Sequence, residues 1–166
     1  MKTTANPYIF VVEDDIMYRE IIKNELEENN CKNIEFFSLG KDCINNLHKN
    51  PDIVLLDYML EGELNGLQVL KKIKSTNPDT EVIMMSAQEK LEVAVNSLKH
   101  GAYDYIVKND SAMNRMSSLI GRICKLNKLI EENKQVKKIR TFILIAMGVL
   151  LTILIILNQL FPRQFS

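Results

Sequence analysis

Residues 50–57 read NPDIVLLD: a helix-stopping Asn-Pro pair, four apolar side chains in a row, then a carboxylate. A strand wetted on one face alternates apolar and polar residues. Four consecutive apolar residues between turn signals suit a strand covered on both faces instead. The proline disfavours helical geometry in the residue ahead of it, so a preceding helix ends there. Working outward, similar runs recur as YIFVV (residues 8–12), IEFF (34–37), EVIMM (81–85) and YDYIV (103–107). Asn77-Pro78 repeats the helix stop, and Gly101 stands where a helix should close.

Between these runs the apolar spacing changes to that of helices. Residues 16–28 place Ile21, Ile22 and Leu26 on one side, and residues 40–49 carry Cys43, Ile44 and Leu47. Residues 67–74 carry Leu67, Leu70 and Ile73, and residues 90–99 carry Leu91, Val95 and Leu98. Residues 113–124 carry Met116, Leu119, Ile120 and Ile123, with Asp110 or Ser111 as the expected cap. Five apolar strands alternating with amphipathic helices predict an α/β fold, a parallel sheet with helices on both faces. No repeat or low-complexity tract interrupts it.

In such a sheet ligands sit beyond the carboxyl ends of the strands. The first strand is followed by Glu13, Asp14 and Asp15, the third by Asp57, the fourth by Ser86 and the fifth by Lys108. Clustered carboxylates raise one another's pKa unless a cation neutralises them. Mg²⁺ does so through one or two carboxylates while keeping water or phosphate oxygens in its octahedron. An aspartate beside it is a competent nucleophile towards phosphorus, and a lysine and a hydroxyl then serve the new phosphoryl group. Asp15 reads as a helix-start carboxylate.

The segments IFVVEDD, IVLLDYML, MMSA and YDYIVK, in this order and spacing, resemble the receiver domain of bacterial two-component response regulators over residues 7–124. The resemblance implies a flavodoxin-like, doubly wound five-stranded sheet of order 2-1-3-4-5. It implies Asp57 as phosphoacceptor, with Mg²⁺ held by Glu13, Asp14, Asp57 and the backbone carbonyl of Met59. Ser86 matches the switch hydroxyl, Tyr105 the aromatic that changes rotamer with it, and Lys108 the lysine that meets the phosphoryl group. Two departures stand out. Asn109 replaces the proline that usually follows the lysine, so a trans peptide is expected there. The loop YMLEGELNG, residues 58–66, also lacks the family's common proline.

The C-terminal part has a different character. Residues 141–161 carry no charge, and about 20 apolar residues span a hydrocarbon core of roughly 30 Å. Seven cations precede them (Arg122, Lys125, Lys128, Lys134, Lys137, Lys138, Arg140) against two acids, Glu131 and Glu132, while Arg163 follows. Lysine and arginine flanks stay in the cytoplasm, which places the N-terminal domain there. The same flank suits anionic lipid headgroups.

These features predict an N-terminal tail (1–6), a receiver (7–124), a basic helical stalk (125–140), a membrane span (141–161) and a short tail (162–166). With no signal sequence at the N-terminus, the expected protein is tail-anchored and single-pass in a bacterial inner membrane. Steps from Ile123 through Leu126 and Ile130 to Asn133 leave a homodimeric stalk open beside a monomeric spacer. Gly148 and Thr152 add a weak small-residue pair.

Cys31, Cys43 and Cys124 lack metal spacing and read as reduced, apolar-like thiols, and His48 and His100 are isolated. The net charge is zero, and no nucleic-acid-reading segment follows residue 124. The chain is therefore expected to be a stand-alone phosphoacceptor in a phosphorelay rather than an enzyme. Its partners would be a sensor histidine kinase or phosphotransfer protein and a downstream protein. The alternative is a membrane-tethered docking scaffold that phosphorylation does not regulate.

Overall fold

The structure is a computed structural model and describes residues 6–160. Its elements follow in the order β1 (Tyr8–Val12), α1 (Ile16–Glu28), β2 (Asn33–Phe37), α2 (Gly40–Asn45) and a 3₁₀ turn (Leu47–Lys49). Then come β3 (Ile53–Asp57), α3 (Gly66–Thr76), β4 (Glu81–Ser86), α4 (Leu91–Lys99), β5 (Asp104–Val107) and α5 (Ala112–Leu160). The five strands form one parallel sheet in the order β2-β1-β3-β4-β5, the doubly wound, flavodoxin-like arrangement.

Successive strand residues point to opposite faces, so each strand feeds two cores. On one face Ile9, Val11, Ile53, Leu55, Ile83 and Met85 pack with Ile22 and Leu26 of α1 and with Met116, Ile120 and Ile123 of α5. On the other, Phe10, Val54, Leu56, Val82 and Met84 pack with Cys43 of α2 and with Val69, Leu70 and Ile73 of α3. All five residues of β3 are buried, as the run at 53–57 requires.

Local chemistry sets the helix boundaries. Asp15 caps α1, accepting the backbone N–H groups of Met17 (2.8 Å) and Tyr18 (3.2 Å). Asn65 and Gln68 form a reciprocal capping box on α3. Gly101, at φ +91°, closes the turn after α4 as its position suggested.

Three details differ from the sequence expectation. On α1, Ile21 is exposed while Ile22 and Leu26 are buried. On α4, Leu91 is 79% exposed, and Val95 and Leu98 also face outward. Ser97 is buried there instead, its hydroxyl donating to the Val93 carbonyl, while Val93 and Ala94 pack on the core. Two stripes compete on this helix, and the small residues let it approach the sheet. At the start of α5, Asn109 organises the turn rather than Asp110. Its Oδ1 accepts both the backbone N–H (3.1 Å) and the hydroxyl (2.8 Å) of Ser111.

The chain divides into two units between Lys125 and Leu126. Within the second unit the apolar side chains from Phe142 to Leu157 are exposed, and α5 is the one helix among the described residues long and apolar enough to cross a membrane. Phe161, Arg163, the tail at 162–166 and residues 1–5 lie outside the described residues.

Candidate functional site

Past the strand ends, backbone hydrogen bonds still tie β1 to β2, β3 to β4 and β4 to β5. The Glu13 N–H donates to Phe37 O (3.0 Å), Tyr58 N–H to Met85 O (2.8 Å), and Lys108 N–H to Ser86 O (2.7 Å). These bonds continue the ladder one residue past each strand, which is where the polar side chains begin. The entry to α3 is equally constrained: a Cβ on Gly66 would lie 2.1 Å from the carbonyl oxygen of Asp57. Only glycine lets the helix start this close to the end of β3.

Two of the acids are buried, Glu13 at 1% exposure and Asp57 at 5%, and Asp14 is half-buried beside them. Each offers a carboxylate oxygen within 4.8 Å of the others. The Lys108 ammonium sits between two of them, donating to Glu13 Oε1 (2.9 Å), Glu13 Oε2 (2.7 Å) and Asp57 Oδ2 (2.9 Å). A lysine has three donors, and these contacts use all of them. Asp57 Oδ1 accepts the Met59 N–H (3.1 Å), and Asp14 Oδ2 accepts the Glu61 N–H (3.2 Å) from the following loop.

The electrostatics follow from burial. Desolvation pushes the Glu13 carboxyl up, to about 7; hydrogen bonds from Lys108 oppose this and the Asp57 charge reinforces it. One lysine thus only partly compensates three neighbouring acids. A hard dication suits the remaining deficit, and an all-carboxylate donor set with one half-exposed member is what Mg²⁺ takes. The residues fit that ion.

Ser86 and Tyr105 belong to a second group centred on Gln88. The Gln88 N–H donates to Ser86 Oγ (3.1 Å), and the Tyr105 hydroxyl donates to the Gln88 carbonyl (2.7 Å). The Gln88 side-chain amide reaches Met59 Sδ (3.9 Å). The loop after β4 therefore links the hydroxyl, the aromatic ring and the loop after Asp57. The Lys108–Asn109 peptide is trans, with no cis bond among the described residues.

Sequence reasoning missed two residues of this neighbourhood. Gln88 is one; its signal is the serine two positions earlier, which can accept its N–H in a local turn. Tyr18 is the other. Its ring lies under the Lys108 ammonium, 4.4 Å from Nζ to the centroid. The signal is its place in the first turn of the helix that directly follows the acidic run 13–15.

A sequence profile of the response regulator receiver domain matches residues 9–120. The regulatory protein LuxO of Vibrio vulnificus is 33% identical over 97 residues, 58% of this chain and 21% of that protein. The NtrX-like response regulator of Rickettsia felis is 34% identical over 134 residues, 78% of this chain and 27% of that protein. This chain thus spans about a quarter or less of the length of these curated relatives. Among solved structures, the receiver domain of the Francisella response regulator 1452 superposes with a TM-score of 0.67 at 28% identity. That match covers 74% of this chain and 99% of the Francisella chain.

Proposed function

We propose that Asp57 accepts a phosphoryl group, on the premise that this chain belongs to the response regulator receiver domain family. Receiver domains are phosphoacceptor domains of two-component systems, bind Mg²⁺ at an acidic pocket and interact with histidine kinases or phosphotransfer proteins. The observation that carries the reading for this chain is the buried Asp57 carboxylate. It shares one lysine with Glu13, and a carboxylate oxygen lies within 4.8 Å of one from each of Glu13 and Asp14.

In this reading a phosphohistidine presents its phosphorus to an Asp57 carboxylate oxygen. The new O–P bond forms as the N–P bond breaks, and the electron pair of that bond returns to the imidazole nitrogen. Glu13, Asp14, Asp57 and the Met59 backbone carbonyl would hold Mg²⁺. When bound, the ion neutralises charge on the transferring phosphoryl oxygens. Lys108 gives up its contact with Asp57 Oδ2 and turns to the phosphoryl group, which arrives with a charge of about −2. Ser86 then turns its hydroxyl from Gln88 to a phosphoryl oxygen. Loss of that contact frees the Gln88 loop, and with it Tyr105, to change the partner-binding face around α4, β5 and α5.

The C-terminal part completes the proposal. Residues 141–161 are read as a single membrane span, supported by the apolar, exposed helix described above. The basic residues 125–140 would form a stalk on the cytoplasmic side against anionic lipid. Output then passes to a downstream protein that recognises the phosphorylated receiver at the membrane.

The test is direct. The full chain in lipid nanodiscs, given Mg²⁺ and acetyl phosphate, gains one phosphoryl group by intact mass, and Asp57→Asn gains none. A folded protein that takes up no phosphate, or an Asp57→Asn variant that still does, rejects the assignment. The first outcome would favour the membrane-tethered scaffold.

A further inference from the structure

Lys108 bears the heaviest electrostatic duty in the site, and lysine is poorly suited to hold still. Its ammonium ends a flexible four-carbon stem with many accessible rotamers. Its side chain here is only 13% exposed. The three hydrogen bonds already described point one way, towards the carboxylates. The Tyr18 ring also faces the ammonium, 4.4 Å from Nζ to the ring centroid.

The ring is itself firmly placed. Its backbone N–H is held by the Asp15 cap, and its body packs against the core beneath α1 and α5. Its hydroxyl is buried and makes no hydrogen bond within the protein, so the hydroxyl does not orient the ring. Residues 13–18 thus supply two carboxylates, the helix cap and the aromatic face in one continuous turn.

We propose that Tyr18 is a positioning residue for Lys108, seating the ammonium by a cation–π contact while its donors transfer from the Asp57 carboxylate to the phosphoryl group. This role rests on the assignment of Asp57 as phosphoacceptor. A ring face suits the task because its quadrupole attracts the cation regardless of which oxygens the three N–H groups address. A carboxylate or carbonyl in the same place would compete for those donors at the moment they are needed. The aromatic seat lets the lysine re-aim without leaving.

The test uses the full chain in nanodiscs with Mg²⁺ and acetyl phosphate. Tyr18→Leu lowers the phosphorylation rate roughly three- to tenfold, the range of a partly desolvated cation–π contact. Tyr18→Phe and Tyr18→Trp keep an aromatic face and restore the rate to within about twofold. In a Lys108→Met background, Tyr18→Leu causes no further loss, because the ring acts through the ammonium. A loss of equal factor in both backgrounds, or Phe as impaired as Leu, overturns the proposal.

A second readout needs no phosphorylation. The ε-methylene protons of isotope-labelled Lys108 are ring-current shifted in the wild type and in Tyr18→Phe, and lose that shift in Tyr18→Leu. An unshifted wild type also overturns the proposal. A wild type that takes up no phosphate rejects the Asp57 assignment instead, and the ring-current arm then decides whether Tyr18 seats Lys108.

Discussion

At the scale of single residues, Glu13 shows how burial and function meet. Its carboxyl is pushed up to about 7, chiefly by desolvation, from an ordinary value of 4.5. A group raised in the folded state contributes stability that is fully present below its unfolded pKa and is lost as pH rises through the folded one. The metal-free protein should therefore lose thermal stability from Glu13 as pH rises from about 4.5 through about 7. Mg²⁺ should shrink that loss by favouring the charged carboxylate.

Glu35 acts in the opposite sense. Hydrogen bonds from Lys49 and Tyr8 lower its pKa, so its contribution is present above the ordinary value and lost as pH falls below it. Comparison with Glu13→Gln isolates the first effect. Melting curves in EDTA across this range should be flatter for the variant. Equal slopes in the two proteins would show that Glu13 does not carry the dependence.

At the scale of elements, Gly66 marks where backbone packing limits the site. An alanine there would drive Cβ against the Asp57 carbonyl at 2.1 Å and against Tyr58 Cα at 2.7 Å. Both are backbone atoms and cannot rotate away, so α3 or the end of β3 must shift. We expect Gly66→Ala to cost about 3 kcal/mol, at the upper end of ordinary overpacking. It should slow phosphorylation of Asp57 even where the protein stays folded. Urea unfolding and the acetyl phosphate assay check the two parts separately. A neutral Gly66→Ala would contradict the close approach.

The helix α4 makes a related point about reading elements from spacing. Leu91, Val95 and Leu98 form the more apolar stripe, yet Val93, Ala94 and Ser97 face inward. Buried Ser97 is satisfied by bonding within its own helix, to Val93 O at 2.8 Å, which removes the usual cost of burying a hydroxyl. Spacing alone cannot separate two stripes when one wins through small size.

At the scale of the whole molecule, the proposed membrane attachment is open to a physical test. The apolar side chains between Phe142 and Leu157 are exposed, Leu150 and Leu154 at 61% and 54%. Arginine near the centre of a span costs about 2.5–3.5 kcal/mol to insert. The wild-type chain should stay in the membrane fraction after alkaline extraction, and the pair Leu150→Arg, Leu154→Arg should release it. A wild-type chain extracted as a soluble protein would refute the anchor.

Much of the α/β architecture was legible from residue order, because apolar runs of four or five between helix stops have few other uses. The family resemblance added the strand order, which periodicity does not encode. The same reading collected Glu13, Asp14, Asp57, Ser86 and Lys108, since strand ends in a parallel sheet point to one edge. What it could not supply was the pairing among them. That Lys108 bridges Glu13 and Asp57, that Ser86 and Tyr105 meet at Gln88, and that Tyr18 lies under the ammonium depend on side-chain directions from separate elements. Only the tertiary structure decides those, because sequence spacing sets which face a residue occupies, whereas contact between elements depends on their packing distance and rotation.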